Sequence, residues 1–245
     1  MTGFATIGDV NVLALENNSR TQDVVNKKQD ILDGLAQYYN LAPTSILFVG
    51  FSSFALARFP QEIAITAVSE QVQQYLKSQG VKFRYIPEIE LINYRKQFEV
   101  VVAVDEYFTY GDTDQAQKDS VAQICNLATD YVITTLRDYK NQDYKEREFS
   151  QPSIVRDGDS STVFLENHNW SQKDRANWTS MIYAIDQTDN TMQAYGAFDR
   201  RTMYFKQLAN FSAAAGAEDF VVHKNLMYKG LWSKNYQHIV TINFS

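Results

Sequence analysis

Five short, almost wholly apolar runs punctuate the first half of the chain: Ile46–Val49, Ile63–Val68, Lys82–Ile86, Phe98–Val104 and Asp130–Thr135. Between them the pattern changes to helical spacing, over Phe54–Phe59, Glu70–Gly80 and Asp114–Ala128. Near-continuous β-branched runs alternating with helices are what a parallel sheet covered on both faces requires, because neither face of such a strand meets water. Right-handed crossovers follow for the connections. Ahead of the first run, Val24, Val25, Ile31, Leu32, Leu35 and Tyr38 recur at helical spacing over Thr21–Tyr39, and Pro43 marks the stop. Before that lies an arm carrying the apolar stretch Val10–Leu15.

After Thr135 the period shifts. Residues 137–160 are polar and charged, with a turn expected at Arg156–Asp159. SSTVFLENHNW, NWTSMIYAID and TMQAYGAF then alternate apolar and polar positions around turn signals, which reads as an antiparallel meander. A helix over Phe205–Ala217, closed by Gly216, leads into two final strands, Asp219–Asn225 and Gln237–Phe244. The expected architecture is therefore α/β, a doubly wound, mostly parallel seven-stranded sheet with an antiparallel β insertion before the last helix. It is read as one domain over 1–245, with an N-terminal arm and helix over 1–42 and an insertion over 137–204.

Composition narrows the chemistry. A chain of 245 residues buries a core that needs no metal or disulfide. The net charge of −6, with no stripe of Lys or Arg, argues against a nucleic-acid partner. One cysteine, Cys125, excludes an internal disulfide; it falls in a predicted helix, where it reads as a small buried hydrophobe rather than a reactive thiol. No run approaches the ~20 apolar residues of a membrane span and no signal-peptide pattern opens the chain, so the expected location is cytoplasmic, without a membrane partner. Three histidines and one cysteine without H-x-x-x-H or C-x-x-C spacing give no metal set. No hydrolase elbow or phosphate loop is present. Oligomeric state leaves no mark in the sequence.

The order of elements resembles that of the class I S-adenosylmethionine-dependent methyltransferases. The likeness covers roughly residues 25–136 and 200–244, most clearly in FEVVVAVDEYFTYGDTDQAQKDSVAQICNLATDYVITTL and FSAAAGAEDFVVHKN. It implies S-adenosyl-L-methionine as cofactor and a small-molecule methyl acceptor. The family's first turn carries three alternating glycines after an acidic strand residue. Here Gly50 matches the first, Ser52 and Phe54 stand at the second and third, and Phe48 replaces the acid. Gly50, Phe51 and Ser52 are thus the implied cofactor turn, with Phe54 crowding it.

At the end of the second strand the family places a carboxylate for the ribose. Either Glu70 bends back to this role or Ser69 makes a single bond; alternatively, Ser69 is simply a helix N-cap with Glu70 at the positive end of the helix dipole. Glu88 and Ile89 are the implied adenine neighbours, or solvated loop residues. Asp105, with Glu106, is implied at the cofactor's amino group or the substrate, while Tyr107, Phe108 and Tyr110 wall a pocket or pack against the arm. Methyl transfer rests mainly on positioning, with a base only where a proton must leave. His168 and Tyr107 are the catalytic candidates, and Tyr110, Arg137, Trp170 and Tyr204 the substrate-binding ones, Arg137 being placed to clamp an anion. Tyr139, Arg200 and Arg201 complete the set, each with a packing role as the alternative. The departures at Phe54 and Ser69 motivate a second expectation, a fold retained for binding or scaffolding without turnover.

Overall fold

A computed structural model describes residues 12, 21–141, 147–149, 152–157, 159–171, 176–228 and 237–244. The expected arm and the YKGLWSKN connection lie outside these residues, except for Val12 and Tyr228. Val12 is fully buried among Leu35, Ile46 and Phe54.

The main sheet is built from β1 (Ile46–Val49), β2 (Ile63–Thr66), β3 (Phe83–Tyr85), β4 (Phe98–Ala103) and β5 (Ala128–Leu136), joined by β11 (Asp219–Tyr228) and β12 (Gln237–Asn243). Its order is β11-β12-β5-β4-β1-β2-β3. The first five strands pair parallel, and β12 and β11 close the edge antiparallel. Alternate residues of each strand point to opposite faces, so the apolar runs split into two cores. Ile46, Phe48, Val100 and Val102 face α1 (Thr21–Tyr39) and α2 (Glu70–Ser78). Leu47, Val49, Val101 and Ala103 face α3 (Asp114–Cys125) and α4 (Phe205–Ala214). Cys125 lies fully buried in this second core, where burial pushes its thiol up to about 12. The thiol packs; it is not primed to react.

The expected helix over Phe54–Phe59 is not formed. A single 3-10 turn, Ser53–Leu56, stands in its place. Ser52 caps it, Ala57 is already extended, and Pro60 biases Phe59 away from helical geometry, so nothing can propagate. β2 stops at Thr66 rather than Val68 because Ala67 turns left-handed at φ 56°. The segment expected as a loop after β3 is a 3-10 stretch, Glu88–Tyr94.

Between β5 and α4 the chain forms a separate antiparallel sheet: β6 (Arg147–Phe149), β7 (Ser153–Asp157), β8 (Ser160–Trp170), β9 (Asn177–Asp186) and β10 (Met192–Arg201). β8 pairs β9 along its length and takes β7 and β6 in succession on its other edge. The β9–β10 turn follows its turn chemistry: Asp186 accepts from the Thr188 amide, Asp189 from the Thr191 amide, and Asn190 adopts φ 58°. This is the antiparallel insertion that the alternation predicts.

Candidate functional site

The carboxyl ends of β1 and β4 lie side by side, where open α/β sheets bind ligands. At the first, Gly50 takes φ 76° and donates its amide to Thr66. A side chain there would meet nothing within 4 Å, so the glycine serves conformation and leaves open space above itself. Phe54, which crowds this turn in the sequence, is turned into the core at 0 % exposure, beneath the Lys28 ammonium 5.1 Å from its ring. Phe51 and Ser52 are buried beside it.

At the second end the backbone is held left-handed twice in succession, at Asp105 and Glu106, both with φ 59°. Non-glycine residues rarely adopt this conformation, and such strain is concentrated at sites of function. Asp105 is partly exposed. Burial pushes its carboxyl up to about 6, against the charge of Lys28 and a hydrogen bond from Ser52. Lys28 is pulled down to about 8, first by burial, with Asp105 opposing. Three elements, α1, the β1 turn and the β4 end, thus meet at one carboxylate.

Glu106 points the other way, into a buried polar cluster. It accepts from Arg137 Nη2 at 2.8 Å and from the Tyr139 hydroxyl at 2.6 Å. Burial alone would lower Arg137, but Glu106 more than offsets this and holds it above its ordinary range. The Tyr139 hydroxyl is pushed well up by burial and by the same carboxylate.

The antiparallel sheet forms the roof. Arg200 on β10 donates to Thr109 Oγ1 at 3.1 Å and to the Tyr110 hydroxyl at 2.8 Å, and its guanidinium lies 4.1 Å over the Tyr110 ring. Its backbone also bridges to Tyr110. Gln117 on α3 secures the join by donating to the carbonyls of Phe108 and Arg201, both at 3.1 Å. On β8, the period of two puts Phe164, Glu166, His168 and Trp170 on one buried face. His168 Nε2 lies 3.0 Å from Glu166 Oε1. Burial would raise Glu166, but His168, Arg200 and Arg137 hold it at about 2. Trp170 packs on Trp178 at 4.6 Å, with Tyr139 beside both. Arg137 Nε and Nη1, Arg200 Nε and Trp178 Nε1 have no hydrogen-bond partner among the described residues, leaving a surplus of donors.

Two groups of predicted residues are therefore assembled: Gly50, Phe51, Ser52 and Asp105 at the crevice, and Tyr110, Arg137, His168 and Trp170 in the polar and aromatic cluster beneath the inserted sheet. Tyr107 sits between them in a 3-10 turn, its hydroxyl pushed up to about 12 by burial and by nearby Glu88. The remainder lie outside. Ser69 caps α2, its oxygen accepting from the Val72 amide at 3.2 Å, and Glu70 is exposed in the first helical turn. Glu88 is exposed, Ile89 is 87 % exposed, and Tyr204 is 44 % exposed at the start of α4. The residue that directly follows β2 is Ala67, which offers no acceptor.

Sequence reasoning passed over Lys28, Glu166 and Trp178. Lys28 had a visible signal, a charge on the apolar stripe between Val24 and Leu35. Glu166 had one too, sharing the alternation of Phe164 and Trp170.

No family model and no curated protein sequence matches the chain. Solved structures do match in fold. DesVI from Streptomyces venezuelae aligns with a TM-score of 0.69 at 12% identity, over 97% of this chain and 98% of that one. An S-adenosylmethionine-dependent methyltransferase from Clostridium acetobutylicum aligns at 0.65 and 11% identity, over 90% and 92%. CalS10, an amino pentose methyltransferase from Micromonospora echinaspora solved with S-adenosylmethionine bound, aligns at 0.64 and 11% identity, over 100% and 99%. The chain has the class I methyltransferase-like fold that the element order resembles, extended by a separate antiparallel sheet.

Proposed function

We propose that the protein is an S-adenosylmethionine-dependent methyltransferase acting on a small-molecule acceptor. The observation that carries this reading is the pairing of an open, left-handed Gly50 with Asp105 across adjacent strand ends. The β1 and β4 sides of the crevice fit the cofactor: space is open above Gly50, Phe54 is folded away, and Asp105 is a partly exposed residue at the end of β4. Gly50, Phe51, Ser52 and Asp105 would hold it. On the β2 side Ala67 supplies no carboxylate for a ribose, so weaker affinity is expected. When bound, the cofactor supplies an electrophilic methyl group on a sulfonium.

The chain's own residues bind, orient and exclude water. Trp170, Trp178 and Arg200 line a recess of about 270 Å³, where the spare donors of Arg200 and Trp178 suit an acceptor rich in oxygen atoms. A recess of this size favours a small molecule over a protein surface, in keeping with CalS10 and the sugar N-methyltransferase KedS8, whose fold is also similar at a TM-score of 0.63. Asp105, titrating near 6, is the group suited to accept a proton from an amine or hydroxyl at neutral pH. His168, already facing Glu166, positions the roof. Among the described residues no helix is long and apolar enough to cross a membrane, and a reduced cytoplasmic setting suits the single buried thiol.

The test is calorimetric titration with S-adenosylhomocysteine. Micromolar binding is expected. Gly50→Val, which forces a β-branched residue to positive φ at a cost of about 1–2 kcal/mol, should abolish binding while circular dichroism stays native. No heat and no thermal shift at millimolar ligand would support a second reading, a fold kept for binding other partners, which Ala67 and the missing helix after β1 favour.

A further inference from the structure

The 3-10 turn after β1 has a consequence at the opposite end of the sheet. Residues 50–62 connect β1 to β2 without a regular helix, and a pocket is left between this connection, α1 and the loop before β1, over the buried sheet. Ile46, Val100, Val102 and Ile133 on the strands look across to Leu35 and Ala36 on α1 over a cavity of about 520 Å³, closed on one side by Phe59 and Pro60. This lies in the size range of small-molecule sites. Ile46 opens β1 and Thr44 precedes it, so the cavity sits toward the amino ends of the strands, away from Gly50 and Asp105.

The polar groups at its rim are engaged with one another, with one exception. Gln29 accepts from the Arg58 amide at 2.7 Å and donates to Asp33 at 2.8 Å. Gln61 donates to the Pro43 carbonyl at 2.6 Å, and Thr44 donates to Glu99 through both its amide and its hydroxyl. The Arg58 side chain is exposed, and its guanidinium makes no hydrogen bond or ion pair with any described residue. An apolar chamber with one unengaged cation at its mouth selects for an apolar body bearing one negative charge.

We propose that this cavity binds a medium-chain fatty acid, the aliphatic tail against Leu32, Ala36 and Phe59 and the carboxylate at Arg58. The site is independent of the methyltransferase reading.

The probe is decanoate, titrated below its micellar concentration into the full chain by calorimetry. Micromolar binding is expected. Ala36→Phe, which fills the cavity from α1, and Ala42→Trp, which blocks it from the loop, should each weaken binding at least about tenfold, and Arg58→Glu by a similar factor. Should Ala36→Phe fail to fold, the loop variant decides alone. Decanol should bind wild type and Arg58→Glu equally and more weakly than decanoate binds wild type. Absence of decanoate binding, binding unchanged in Ala42→Trp, or decanol matching decanoate would overturn the assignment. S-adenosylhomocysteine affinity should stay the same in every variant, which separates a failure here from a failure of the crevice.

Discussion

Lys28 reaches from α1 to the carboxyl end of β4, and there each of two ionisable groups moderates the other's burial. Asp105 carries the clearer signature. Its folded value, about 6, stands above its ordinary 3.8, so its share of stability is complete below about pH 4 and lost as the pH rises through 6. Lys28→Met removes the nearest offsetting charge. Carbon-detected titration of the Asp105 carboxyl should then show a midpoint above the wild-type value, whereas an unchanged midpoint would mean that Lys28 does not act on it. Arg137 presents the opposite case, a cation locked onto Glu106. Arg137→Ala strands a buried carboxylate and should cost about 3–5 kcal/mol in chemical denaturation, far more than an exposed substrate clamp would.

Among the elements, α2 and the β1–β2 connection show what an aligned pattern reveals and what it conceals. Ser69 before a helical run offers both a cap and a cofactor contact in one dimension; in three, its oxygen is committed to the Val72 amide. Ser69→Ala should therefore destabilise the fold by about 1 kcal/mol in urea melts and leave S-adenosylhomocysteine affinity unchanged. The strands and most helices were legible because their apolar runs are long and their periods distinct. The missing helix was harder to foresee, since Ala55 and Leu56 stand four and three residues before Phe59, a suitable spacing, and only Pro60 and the short span argue against it. On β8 the alternation that identified the strand also puts Glu166 and His168 in step with Phe164 and Trp170, a signal for Glu166 that went unread. What no local pattern encodes is that Arg137 and Arg200 come to bear on Glu166, because that depends on roof and floor meeting.

At the scale of the whole molecule, roof and floor are separate sheets joined by a small set of buried charges. Glu166 is held at about 2 by His168, Arg200 and Arg137, below its ordinary 4.5. Its contribution is therefore present above pH 4.5 and lost as the pH falls toward 2. Thermal midpoints measured between pH 5 and pH 2 should fall steeply for wild type and more gently for Glu166→Gln; equal slopes would show that the charge does not tie the sheets. The cluster itself was legible only in part. Arg137 and Tyr110 were read from their places after strands and Trp170 from its place on the insertion, yet their coming together depends on the bridge between Tyr110 and Arg200, residues joined by the fold.

That bridge also divides the molecule's freedom to change. The seven-stranded layer has two packed faces and tolerates little, while the five-stranded layer is spliced in as a unit between β5 and α4. Descendants of this chain can vary their diet by redrawing the inserted layer, provided they keep the arginine that pins it down.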